Sequence, residues 1–200
     1  MSDQEGAHEG AIDAYTFIDH VDPGKRIDEV LRDVFEQNPS TVRFTAQFSG
    51  NFIGCVAMMF SDLAEAHELA RGAFWDAGVR CDYAHVIKPS RIMIPKRGSP
   101  AACALVQAHA QDPFAVLDAL DDRFGERQEA EWLKPYEERE FNYGAAVVSG
   151  KYDLLIDIGS TKRSKTIKLV HEEIRTIPGI SGTLVDSYAH LPGNARRRDL

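Results

Sequence analysis

No run in this chain of 200 residues approaches the roughly 18 apolar residues that a bilayer-spanning helix needs. The opening residues, Met1-Ser2-Asp3-Gln4-Glu5, are acidic where a secretory leader would be basic and then apolar, so a cytoplasmic protein with no membrane partner is expected. Cysteine is scarce as well. Cys55, Cys81 and Cys103 are odd in number, lie in apolar surroundings and include no C-x-x-C pair, which argues against a disulfide framework or a thiolate metal site and for buried free thiols. Positive charge is in deficit: 23 Lys and Arg stand against 31 Asp and Glu, for a net charge of -8. Nucleic-acid affinity comes mostly from clustered cations, and contiguous basic stretches such as Lys96-Arg97 and Arg196-Arg197-Arg198 are short, so no direct nucleic-acid partner is expected. There is no G-x-G-x-x-G after a strand, no P-loop, no H-E-x-x-H and no G-x-S-x-G. Nucleotide, zincin and hydrolase chemistries therefore lack support, and no metal or cofactor is expected.

What is present is repetition. A composition of 44% hydrophobic and 27% charged residues suits a globular chain, and the length accommodates two modules of roughly 90 to 100 residues. Residues 12–19 alternate as a strand, and a helix follows. Asp22 is placed to cap it, Pro23 to be its first residue, and Ile27, Val30, Leu31, Val34 and Phe35 to form its apolar stripe. Val42, Phe44, Ala46 and Phe48 alternate with polar residues, "SGN" turns the chain, and residues 52–60 form the second arm of a hairpin. A helix beginning at Leu63 and a strand over residues 83–87 complete the order β-α-β-β-α-β. The second half repeats it: a strand over 103–109, a helix opened by Asp112-Pro113 that extends toward Pro135, a hairpin of strands 143–148 and 152–158, a helix over 164–177 and a strand over 183–191. Shared words recur in the same order: "SGNF" and "SGKY" at the hairpins, "AGV" and "PGI" after the second helices, and "YAH" at Tyr83-Ala84-His85 and Tyr188-Ala189-His190.

The fold class that follows is α+β, with two tandem ferredoxin-like modules over residues 11–95 and 100–192 and tails over 1–10 and 193–200. The connecting segment could carry an edge strand at Ile92-Met93-Ile94. A lone module of this type leaves one sheet face uncovered, so the two antiparallel sheets are expected to pair face to face as an intramolecular pseudo-dimer, a dimeric α+β barrel.

"SGKYDLLIDIG", followed by a helix ending "IRTIPGI", resembles the ligand-binding RAM domain of the Lrp/AsnC regulators, whose hairpin reads G-x-Y-D and whose second helix ends in P-G-V. "AYTFIDHVDPGKRIDEVLRDV" and "SGNFIG" resemble the same module in altered form. The helix-turn-helix domain of those regulators has no counterpart here. The resemblance implies a non-enzymatic sensing or assembly module for a small-molecule effector such as an amino acid, acting as a homo-oligomer or with Lrp-like partners. Its effector site maps onto Gly150, Tyr152 and Asp153 with Ser149 and Lys151 beside them. In the first half, Gly50, Asn51 and Phe52 keep the shape of the turn, but Ile53 cannot pair with an ammonium as Asp153 can.

A second reading stays open. Dimeric α+β barrel enzymes, including monooxygenases, cyclases and haem-binding relatives, place titratable groups between the sheets, and the two "YAH" strands offer His85, His190, Tyr83 and Tyr188 for such a cavity.

Overall fold

The computed structural model describes residues 14–38, 40–59, 68, 72, 74, 78–90, 102–135 and 138–190. In the first half these give β1 (Ala14–His20), α1 (Ile27–Gln37), β2 (Val42–Ser49), β3 (Gly54–Met58) and β4 (Arg80–Pro89). In the second they give β5 (Ala102–Ala110), α2 (Pro113–Trp132), β6 (Phe141–Gly150), β7 (Leu154–Ser160), α3 (Arg163–Lys168) and β8 (Ile180–His190). A π-helical turn, Leu169–Ile174, continues α3. Among the described residues, no helix is long and apolar enough to cross a membrane.

All of these strands join one closed antiparallel barrel in the order β1-β3-β2-β8-β5-β7-β6-β4. Each half supplies four consecutive strands of it. The seams are β2 with β8, from Ala46↔His190 to Ser49↔Ser187, and β4 with β6, from Ala84↔Gly150 to Pro89↔Ala146. Closure hydrogen-bonds every strand on both sides and leaves no open edge. The expected pairing of two ferredoxin-like sheets within one chain is thus what the molecule adopts.

Both faces of each sheet are covered, so the core has layers. Val30, Leu31, Val34 and Phe35 of α1 bury their predicted stripe against Ile18, Val42, Val56 and Met58 outside the first sheet. At roughly 1.5–3 kcal/mol per fully buried side chain, that stripe is what holds α1 in place. Val116, Leu117, Leu120 and Phe124 of α2 pack with Val170 and Ile174 over the outer face of the second sheet. The third layer fills the barrel and brings Tyr15, Phe17, Phe48, Phe52 and Tyr188 together with Cys55, Leu105 and Leu155.

Two local expectations are corrected. Asp22-Pro23 does not start α1: Lys25 N donates to Asp22 O at 3.1 Å, Gly24 takes a φ of +92°, and the helix starts after Arg26 without a side-chain cap. A positive φ at Gly24 makes these residues a turn and excludes a first helical turn there. At the second helix the same reading holds, because Asp112 accepts from Ala115 N at 3.1 Å and Pro113 follows. The repeated "YAH" is not a structural equivalence. Tyr15 and Leu105 occupy equivalent positions in β1 and β5, and they face Ala84 and Asp186 respectively, so Ala84 corresponds to Asp186 and Val86 to Tyr188. The two words are three residues out of register, which puts corresponding letters on opposite faces. Most of the helix expected from Leu63, and the segment around Ile92-Met93-Ile94, lie outside the described residues.

Candidate functional site

The second hairpin presents the residues singled out by sequence, but within an internal network. Asp153 Oδ2 accepts from Ala110 N at 3.0 Å and lies 3.3 Å from His109 Nδ1. The Tyr152 ring packs on the His109 ring with centroids 5.0 Å apart. Lys151 Nζ lies 3.7 Å from Asp82 and 5.7 Å from the Tyr152 ring centroid. Ser149 pairs with His85 and Gly150 with Ala84 on β4. Gly150 has a φ of +146°, and a Cβ there would come 2.5 Å from Tyr83 O, so the residue is required by the backbone's close approach. The Asp153 carboxylate therefore already ties the hairpin to the end of β5.

The first hairpin differs in its side chains and is alike in its backbone. Ile53 N donates to Ile18 O at 2.8 Å, as Asp153 N does to Ala108 O at 3.0 Å. Phe52 turns into the barrel, 5.3 Å from the Phe17 ring, and Ile53 joins the outer layer. The amides of Asn51 and Phe52 donate to Asp186 Oδ1 at 2.6 and 3.3 Å. Gly50 lies so close to that carboxylate that a Cβ would overlap it. This turn grips a residue of β8.

Inside the barrel stands a group that motif reading missed. Asp157 on β7 accepts from Tyr188 Oη at 2.7 Å and from Asn142 Nδ2 at 3.0 Å. Burial raises its carboxyl to about 6 against the pull of those two donors. Tyr188 is driven well above the ordinary phenol range by its own burial, by the nearby Asp157 charge and by Cys103. Burial also raises the Tyr15 phenol and the Cys55 thiol, with the Asp157 charge acting in the same direction, so Cys55 is no nucleophile. Asp186 is fully buried and raised too, its Oδ2 unpartnered among the described residues, and the Gln107 amide is buried without a partner. The sequence signal for these groups is a lone acid in an otherwise apolar strand, "LLIDIGS" and "TLVDSYAH".

Two spaces meet at this network. A cavity of about 10 Å³, room for a single water, is bounded by Tyr15, Phe44, Phe48, Cys55, Asp157 and Tyr188. A cleft of about 390 Å³ opens between α3 and the ends of β2, β5 and β8, with Phe48, Cys103, Arg163, Val170, Val185 and Tyr188 among its walls. Phe48 and Tyr188, with ring centroids 5.6 Å apart, line both. Of the other residues considered for an inter-sheet cavity, Tyr83 is partly exposed, and His85 lies on the face of β4 opposite Ala84. The His190 side chain lies outside the described residues.

No family model matches the chain, and no curated protein matches it. Solved structures do. An R173E chlorite dismutase from Candidatus Nitrospira defluvii aligns with a TM-score of 0.55 at 11% identity, over 90% of this chain and 93% of that one. A protein from Shewanella oneidensis, assigned as a dyp-type peroxidase, gives 0.53 at 9% identity over 90% and 92%. One from Fusobacterium nucleatum, assigned as a monooxygenase, gives 0.50 at 10% over 90% and 91%. At these identities the likeness concerns the fold, and that fold is the dimeric α+β barrel.

Proposed function

We propose that the chain is an enzyme of the dimeric α+β barrel type that moves a proton on a small molecule held in the cleft. Asp157 would act through Tyr188: as the Tyr188 oxygen takes a proton from the substrate, the Tyr188 hydroxyl proton passes to Asp157, and the return step reverses both transfers. The observation that carries this is the 2.7 Å Tyr188–Asp157 hydrogen bond with the carboxyl near 6, where a base is ionised at neutral pH and still able to hold a proton. Tyr188 is the contact between that base and the cleft. Support of a coarser kind comes from the fold, shared with proteins assigned as a dismutase, a peroxidase and a monooxygenase.

The walls of the cleft and of the small cavity do not suit a haem. Neither the cleft nor the small cavity has a histidine or methionine in its wall. His109 is engaged by Tyr152 and Asp153, and His171 lies 2.9 Å from the Arg175 guanidinium. Of the wall residues that could bind iron as an anion, Tyr188 donates its proton to Asp157 and Cys103 shares a side-chain hydrogen bond with Tyr188.

The test is solvent deuterium exchange. Small carbon acids are incubated with the protein in deuterated water, and loss of the exchanging proton signal is followed by NMR. The wild-type chain is expected to exchange at least one class, faster as pH rises through about 6, and Asp157→Asn and Tyr188→Phe should each slow it by roughly 100-fold. Exchange that persists undiminished in both variants overturns the proposal.

A further inference from the structure

The cleft has one charged wall. Around α3 the chain reads Lys162-Arg163-Ser164-Lys165-Thr166-Ile167-Lys168, four cations in seven residues of a chain whose net charge is -8. Ser164, Thr166 and Ile167 interrupt the run, so that Lys162-Arg163 is its only contiguous pair. Among the described residues none of the four forms an ion pair, although Arg26, Arg32, Arg80, Lys88, Lys134 and Lys151 all do. Helix stability does not account for Lys162 and Arg163. The first turn of α3 holds no acid, and cations at that end of a helix oppose its dipole. The rest of the lining is largely apolar: Ala104, Val170 and Val185 line the cleft with the uncharged Gln47, Ser49 and Ser187, and Ile167 lines it while 46% exposed.

We infer that the cleft binds a small organic anion, its apolar body against Ala104, Val170 and Val185 and its charged group at Arg163. The inference rests on the cleft being the substrate's place, as proposed above, and adds the substrate's class. An apolar pocket with one unpaired cation at its rim fixes the orientation of such a molecule, and its volume of about 390 Å³ lies within the range of small-ligand sites. A positive edge on an acidic protein also draws anions to this one mouth. A nucleic-acid strand would instead need a long cationic track without a deep apolar floor.

The test compares two fluorescent probes of one shape on the full chain: 8-anilino-1-naphthalenesulfonate, an anion, and its uncharged parent N-phenyl-1-naphthylamine. The anion is expected to bind one to one and more tightly than the neutral probe, with an advantage that shrinks as salt is raised. Arg163→Gln should weaken the anion by about tenfold and leave the neutral probe unchanged, and Ile167→Glu should weaken both. Arg123→Gln, a cation exposed on α2, should change neither. Equal affinity for the two probes, or anion binding indifferent to Arg163→Gln, overturns the inference. Asp157→Asn separates this from the functional reading. Arg163-dependent anion binding together with exchange indifferent to Asp157 sinks the proton-transfer reading alone, and Asp157-dependent exchange without Arg163-dependent binding sinks this inference alone.

Discussion

Replacing Asp157 by Asn should remove activity and, above pH 6, add stability. Burial moves the carboxyl from its ordinary 3.8 to about 6. At about 1.4 kcal/mol per pK unit, the folded barrel disfavours the ionised form by about 3 kcal/mol relative to the unfolded chain. Below about pH 4 the group is protonated in both states and contributes nothing. Between about 4 and 6 the folded chain keeps a proton that the unfolded chain has released, so stability falls as pH rises, and above about 6 the whole deficit is present. Asn at 157 abolishes the titration and keeps the shape. Its amide oxygen can accept from Asn142, and its amide nitrogen can donate to the Tyr188 hydroxyl, which rotates to suit. Urea unfolding followed by circular dichroism should therefore find the variant equal to wild type near pH 4 and up to about 3 kcal/mol more stable at pH 8. In a thermal scan that gain is a rise of roughly 6–12 °C for a chain of this size. A variant that gains nothing on wild type between the two pH values would show that Asp157 is not a buried carboxyl with a raised pKa, and the relay built on it would fall too.

Asp186→Ala leaves the amides of Asn51 and of buried Phe52 without an acceptor and should cost about 1–3 kcal/mol in urea unfolding, whereas Asp186→Asn, which keeps an acceptor in place, should cost less than about 1; equal losses would deny that those two bonds hold the turn. Gly50→Ala pushes a methyl into the Asp186 carboxylate and should cost about 1–3 kcal/mol alone but far less in an Asp186→Ala background, and strict additivity in that double-mutant cycle would refute the contact. Haem added to the purified chain should leave its absorption spectrum the sum of the two components, and a shifted Soret band with one-to-one stoichiometry would show that a ligand had been overlooked.

The parts of this fold legible in sequence are those decided locally. The α1 stripe, the Asp112-Pro113 helix start and both Ser-Gly hairpins depend on neighbours within a few residues, and all are where pattern reading puts them. What escaped depends on contacts that spacing does not encode. Strands β5 to β7 are buried on one face by helices and on the other by the barrel, so alternation is lost, and an inward Asp157 in "LLIDIGS" cannot be told from an outward one. Asp22-Pro23 and Asp112-Pro113 are identical as words, and Gly24 makes the first a turn. Arg163 became part of a cleft wall only when the ends of β2, β5 and β8 came together beside α3.

The two halves diverge less at their hairpin tips than in what they send into the barrel. Ladder register sets Phe17 against Gln107, Ala57 against Asp157, Ala84 against Asp186 and Val86 against Tyr188. In each pair the first half is apolar and the second polar, while the hairpin residues Ile53 and Asp153 make the same backbone bond to their first strands. A barrel made from two identical chains would have to carry both carboxylates twice, four acids around one small cavity, and like charges at that density raise one another's pKa until most are neutral. Joining the modules in one chain removes that constraint. One half can become an aromatic wall of Tyr15, Phe17, Phe44, Phe48 and Phe52, and the other can carry each carboxylate once, with Asp157 at about 6. The duplication is therefore visible in the backbone, and the chemistry lies in the asymmetry that fusion allows.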